Sequence, residues 1–312
     1  MDKLNDPVFG AIEYNKEEKY WTKKIYLNIW GVEEDYEMDL MVKCDKNEEI
    51  SDLQHEAYKS YLANLKKFED GIPSALLSYY RDHYEDIDRA WNVDDELKLD
   101  VVDEDVLLSL LDIKSLYIDR KGNYGWLVEL IWDGCQITFV LSGDKIRIYG
   151  GWEILVTDYD IVDDEVFGEM VYDYGWRKSV KMDINGEKGS WVEIVAGAYP
   201  GKGITPEQRK NYLEYKEKEK DFFDKIPNAL MTYYLENYDE IGSWYDIPTK
   251  YNRKNVTKDS LMELIEFQSI YFNRDGKRYG WLCGCEWDDV HGLAIILSGD
   301  EIEFGWDEDL FN

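Results

Sequence analysis

Histidine, cysteine and basic residues are all scarce in this chain. Three histidines in 312 residues leave few candidates for a general base. No serine or cysteine stands in the setting of a Ser-His-Asp or Cys-His arrangement. Four cysteines, Cys44, Cys135, Cys283 and Cys285, do not form a disulfide framework for a chain of this size. A reducing, cytoplasmic setting is the expectation. No run of 18 uninterrupted apolar residues occurs, so no membrane span is expected. The opening MDKLNDPVFG lacks the basic and apolar regions of a signal peptide. Neither a P-loop nor a Rossmann glycine pattern is present, and no cofactor is expected.

Lysine and arginine number 36 against 67 aspartates and glutamates, a net charge of -31. Such a field repels nucleic acid and anionic membranes, which argues against direct binding of either. It steers a basic partner towards the protein. The same charge would also serve solubility alone.

What the chain has is a copy of itself. Pro73 laid on Pro227 puts GIPSALLSYYRDHYEDI over KIPNALMTYYLENYDEI. Phe9-Gly10 falls on Phe167-Gly168, Trp21 on Trp176, Gln54 on Gln208 and Gly125-Trp126 on Gly280-Trp281. Trp132-Asp133 falls on Trp287-Asp288, and residues 141–144 (LSGD) on 297–300. The offset drifts only between 153 and 158 residues. The chain therefore reads as two tandem homologous copies, 1–156 and 164–312, joined by an acidic connector at 157–163.

Each copy reads as α+β: antiparallel sheet packed with two main helices. Alternating strands such as KIYLNIW and YEMDLMV come first. A helix with a capping box follows, opened by Ser51 with Gln54 in copy one and by Thr205, Pro206 and Gln208 in copy two. A second helix is expected after each Ile-Pro pair. A short helix is expected at 106–110 and at 261–265. Three strands close the copy: SLYIDR, YGWLVELIW with CQITFVL, and KIRIYG. Gly122 and Gly276 suit hairpin turns.

The duplication is an internal control, because a residue unique to one copy is not required by the scaffold. Cys283, Cys285 and His291 are metal-ligand types. The positions matching the two thiols are Val128 and Leu130, so that strand face reads as core, and no metal site is expected. His291 has no histidine counterpart and is a partner-contact candidate. The paired tryptophans Trp21/Trp176, Trp126/Trp281, Trp132/Trp287 and Trp152/Trp306 read as core. Trp30 faces Asn185 across the copies, so the scaffold tolerates a polar residue there and Trp30 becomes a contact candidate. The polar loops differ most. Residues 85–105 hold ten acidic and two basic residues; residues 240–260 hold three and four. The acid run is a solvated face, a surface for a basic partner, or a mate for the second loop.

WDDVHGLAIILSGDEIEFG in copy two resembles the DUF6985/DUF2004-like bacterial domains of unknown function. FGAIEY and FGEMVY, each followed by a Trp-Lys strand, are similar to the opening of the same group. Copy one departs from the pattern, with Gly134, Cys135 and Gln136 in place of His-Gly-Leu. The resemblance implies a link to immunity proteins of bacterial toxin systems and carries no catalytic residues over.

The leading expectation is thus a non-catalytic binding protein of the immunity or antitoxin type. It would occlude a basic partner such as a toxin enzyme. Asp94, Asp95, Glu96, Asp103, Glu104 and Asp105 would supply the field, with Trp30, Trp91 and His291 as contacts. Three alternatives stand beside it: a DNA mimic, with carboxylates spaced like phosphates; a hydrolase using carboxylates between the copies; and a sugar-binding module with an exposed tryptophan platform.

Overall fold

The computed structural model describes residues 2–30, 36–130, 136–142, 145–151, 155, 160–184, 187–288, 290–299 and 301–311. The chain divides into two compact units, Met1–Tyr159 and Asp160–Asn312. The strand β9 (Asp160–Asp164) opens the second unit and takes up most of the acidic connector read from the sequence.

The first unit holds β1 (Lys3–Asp6), β2 (Gly10–Asn15), β3 (Tyr20–Leu27) and β4 (Tyr36–Lys43), then the helix α1 (Asp52–Trp91). A 3-10 turn (Asp95–Leu97) and α2 (Glu104–Ser109) lead into β5 (Leu111–Ile118), β6 (Tyr124–Leu130), β7 (Gln136–Ser142) and β8 (Lys145–Gly150). The second unit repeats the plan. After β9 come β10 (Gly168–Tyr172), β11 (Trp176–Ile184) and β12 (Glu187–Ala196), then α3 (Pro206–Glu236), α4 (Tyr238–Trp244) and α5 (Lys258–Met262). β13 (Ile265–Phe272), β14 (Tyr279–Cys285), β15 (Leu293–Ser298), β16 (Glu301–Gly305) and the short α6 (Asp307–Phe311) complete it.

Each unit is one eight-stranded sheet in sequence order. Pairing is antiparallel except at the centre, where β4 runs parallel to β5 and β12 to β13. The crossover through the long helix returns the chain to the end where it started, so the next strand must run parallel. The α+β reading holds, with two details changed. YGWLVELIW and CQITFVL form separate strands, and the short helix of the second unit is Lys258–Met262, earlier than the 261–265 expected.

The larger change is that one continuous helix stands where two were expected. Pro73 and Pro227 lie inside α1 and α3. A buried stripe spans the proline in each helix. Tyr61, Phe68, Ile72, Leu76 and Tyr80 are fully buried, and so are Tyr215, Phe222, Ile226, Leu230 and Tyr234, each 154 positions on. Packing on both sides of the proline outweighs the break it would impose on an isolated helix, about 3 kcal/mol.

Both helices start with the capping box read from the sequence. The glutamine at its third position also ties the helix to the parallel strand pair. Gln208 is fully buried, and its Nε2 donates to the carbonyls of Gly197 (2.8 Å), Phe272 (3.1 Å) and Asn273 (3.0 Å). Gln54 Nε2 donates to Lys43 O at the end of β4 (2.8 Å).

Candidate functional site

The motifs shared by both copies are scaffold. In D-x-V-F-G, Asp6 Oδ1 accepts from the backbone N–H groups of Val8 and Phe9, each at 2.8 Å. Asp164 Oδ1 does the same for Val166 and Phe167, each at 3.0 Å. The lysine of each Trp-Lys strand, Lys23 or Lys178, donates to the phenylalanine carbonyl of the turn. The second aspartate oxygen reaches the main helix: Asp6 Oδ2 meets His55 Nε2 at 3.0 Å, and Asp164 Oδ2 accepts from Arg209.

The glycine of each Y-G-W marks a close approach of backbones. A Cβ on Gly125 would stand 2.0 Å from Phe139 O, and one on Gly280 2.1 Å from Ile295 O. Both tryptophans that follow, Trp126 and Trp281, are fully buried.

Cys283 and Cys285 are free and buried, as are Val128 and Leu130 at the matching positions. Burial pushes the Cys285 thiol up to about 12 and the Cys283 thiol well above its ordinary value. Among the described residues no group of three or more His, Cys, Asp or Glu side chains is placed to hold a metal ion. Cys135 lies outside the described residues.

Trp30 packs against the core of the first unit and is half-buried. Its ring meets Trp126 edge-on at 5.9 Å, and its Nε1 donates to Glu69 O at 3.1 Å. Glu69 is the residue four before Pro73, whose ring nitrogen has no hydrogen to return to that carbonyl. Trp30 supplies the missing donor, at a left-handed backbone angle of φ 54°. No sequence pattern pairs a tryptophan in the turn after a strand with a proline 43 positions away. Its counterpart Asn185 lies outside the described residues. So does the side chain of Trp91, which ends α1.

The acid run is exposed. Asp94, Asp95 and Glu96 enter the 3-10 turn, and Asp103, Glu104 and Asp105 start α2. Part of it has a local task. Asp103 caps α2 by accepting from Val106 N (2.9 Å), and Asp95 pairs with Lys98 (2.8 Å). Glu104 and Asp105 sit in the first turn of α2, where negative charge suits the helix dipole. Asp94, Glu96, Glu104 and Asp105 have no ion-pair partner among the described residues, which leaves their charge to solvent or to a partner.

His291 is exposed in the turn between β14 and β15 of the second unit, where sequence reasoning placed no other contact. Its Nδ1 meets Asp288 Oδ1 at 3.0 Å, and Asp288 also accepts from its backbone N–H. Its ring stacks on Trp306 at 5.4 Å. Nearby, burial and the charge of Asp288 raise the carboxyl of Asp307 above the usual range. A concavity of about 470 Å³ runs past Glu263, Glu266, Cys283, His291 and Asp307. Next to it, a cavity of about 250 Å³ is walled by Tyr233, Trp244, Trp287 and Trp306.

The core reading holds for Trp21, Trp176, Trp126, Trp281 and Trp287, all buried. It fails for Trp306, which is 49% exposed. Trp306 stands between β16, the edge strand of its sheet, and α6. Trp132 and Trp152 lie outside the described residues.

These features define a duplicated α+β domain: an eight-stranded sheet crossed once by a long helix, with its repeated motifs spent on the scaffold. The family model for DUF6985, a domain of unknown function, matches residues 8–131 and again 166–308, and the chain belongs to that family. No curated protein and no solved structure matches it. No described helix is long and apolar enough to cross a membrane.

Proposed function

We propose that the chain is a cytoplasmic, non-catalytic binding protein that engages a basic partner through the acid run of its first unit. An immunity- or antitoxin-type role, occluding the working surface of a basic enzyme, is the form of this reading that the charge suits. The observation that carries it is the contrast between the copies: ten acidic residues in 85–105 against three in 240–260, on one fold. The second unit adopts the same fold without that charge, and Asp94, Glu96, Glu104 and Asp105 have no ion-pair partner among the described residues. Exposed carboxylates in number raise the encounter rate with a cationic surface and fix its orientation. The net charge of -31 acts in the same direction at longer range.

The test is affinity capture from source-cell lysate at low and at moderate salt. The bait is the full chain or its Asp94→Asn/Glu96→Gln/Glu104→Gln/Asp105→Asn variant, with the Asp103 cap kept. One basic protein held at moderate salt by the parent and released by the variant is the expected result. A nucleic-acid-binding protein in that place would make the chain a DNA mimic. Retention that is equally weak for all basic proteins and lost to salt would refute the reading, as would capture unaffected by the variant.

A further inference from the structure

The cavity of about 250 Å³ in the second unit combines two features that neither the fold nor the acid run explains. Its walls are aromatic: Trp244 from α4, Trp287 after β14, Trp306 after β16 and Tyr233 from α3. Its polar lining is anionic. Glu240, Asp288 and Asp309 border it, and among the described residues no lysine or arginine does.

We propose that this cavity is a binding site for an organic cation of guanidinium or alkylammonium type. The cavity is about the size of one amino-acid side chain and smaller than a drug-sized site. Aromatic faces attract a cation through the ring quadrupole, most strongly in tryptophan, and carboxylates at the rim add charge. The chain already uses this attraction on its surface. Arg253 lies over Tyr238 at 4.6 Å and Arg274 over Tyr199 at 4.5 Å.

The walls are held in place before any ligand arrives. Trp244 Nε1 donates to Trp287 O at 3.0 Å. Trp306 N donates to Asp309 Oδ2 at 3.0 Å, and the His291 ring stacks on the Trp306 indole. Trp287 is buried, while Trp244 and Trp306 are each about half exposed, so the cavity has a fixed floor and accessible walls. A neutral sugar would use the same aromatic faces, but three bordering carboxylates favour a cation.

The two units also differ here. The position of Asn237 at the cavity is held in the first unit by His83, whose ring stacks on Tyr79 at 4.1 Å. The proposal makes no use of the acid run, so it and the preceding reading can fail separately.

The test is titration of the full chain, followed by tryptophan fluorescence and calorimetry, with n-butylguanidinium, choline, the neutral choline isostere 3,3-dimethylbutan-1-ol and glucose. Saturable binding of the cations and none of the neutral probes is expected. Trp306→Ala should weaken it about tenfold. Glu240→Gln, an exposed change that leaves every wall in place, should weaken it about threefold. Circular dichroism and the melting transition should be unchanged by Glu240→Gln, which separates loss of binding from loss of fold. An acetyl-Gly-Arg-Gly-amide peptide binding more tightly than n-butylguanidinium would assign the site to a side chain of a protein; equal or weaker binding would assign it to a free cation. Equal binding of the neutral isostere, preference for glucose, no saturable binding, or indifference to both substitutions would overturn the proposal.

Discussion

Replacing Trp30 by Phe removes one hydrogen-bond donor and keeps an aromatic ring beside Trp126. The carbonyl of Glu69, accepting from Trp30 Nε1 at 3.1 Å, loses that donor. Pro73 cannot replace it. Glu69 is buried, so the loss is a desolvation penalty of about 1–3 kcal/mol rather than the smaller net value of a solvated bond. In a Pro73→Ala background the alanine N–H can close the helical bond to the same carbonyl, and the penalty should shrink. The expected coupling between the two substitutions is about 1 kcal/mol. Both residues tried at position 30 bear the same φ of 54°, so backbone strain cancels from the cycle. The assay is urea unfolding of the four proteins, with hydrogen exchange of peptides from α1 reporting on the first unit. Additive effects, within about 0.3 kcal/mol, would refute the claim that Trp30 substitutes for the missing proline N–H.

Gly280→Ala should cost about 3 kcal/mol, because the new methyl meets backbone atoms of β15 that no rotamer change can move; thermal unfolding measures it, and a cost near zero would show that the strands part freely. Arg209→Ala should destabilise the second unit by about 2 kcal/mol, since Asp164, whose side chain is nearly fully buried, loses its partner. Burial opposes the charge of Asp164, but Arg209 and two backbone N–H groups hold its carboxyl below the usual range. A lowered folded-state value gives stability that is present in full above about pH 4 and lost as the pH falls through the lowered value. Asp164→Asn should therefore flatten that part of the acid-unfolding curve, and an unchanged slope would sink the assignment. Cys283 and Cys285 should resist alkylation at pH 8 in the native protein and react after unfolding, because the thiolate is the nucleophile and burial disfavours it; mass spectrometry of each cysteine decides.

The structure also locates where function can reside. Repeated motifs are the most visible part of the sequence, yet D-x-V-F-G, the capping-box glutamine and Y-G-W all serve turns, helix docking or strand contact. The copies diverge in the acid run of the first unit and, at the aromatic corner whose tryptophans they share, in His291 and Asn237, which fall near Gly134 and on His83. The acid run was visible in composition. Of the corner, His291 alone was singled out as a contact. The cavity beside it draws on α3, α4, the turn after β14, β15, β16 and α6, with lining residues from 233 to 309. Trp306 was read as core because it has a partner in the first copy, and pairing reports on shared ancestry rather than on burial.

The sequence by itself determined the duplication, the α+β class, the capped helix starts and the burial of the cysteine-bearing strand. Each rests on local spacing or on comparison of one copy with the other, and needs no knowledge of what lies across the sheet. Only the tertiary structure decided that α1 and α3 run unbroken through their prolines. That outcome depends on residues far away in the chain: a stripe of buried side chains on both sides of the break and, in the first unit, an indole N–H from position 30. The parallel centre of each sheet, the backbone approach that excludes a side chain at Gly125 and Gly280, and the convergence of three tryptophans on one cavity were likewise set by contacts between segments that sequence spacing does not relate.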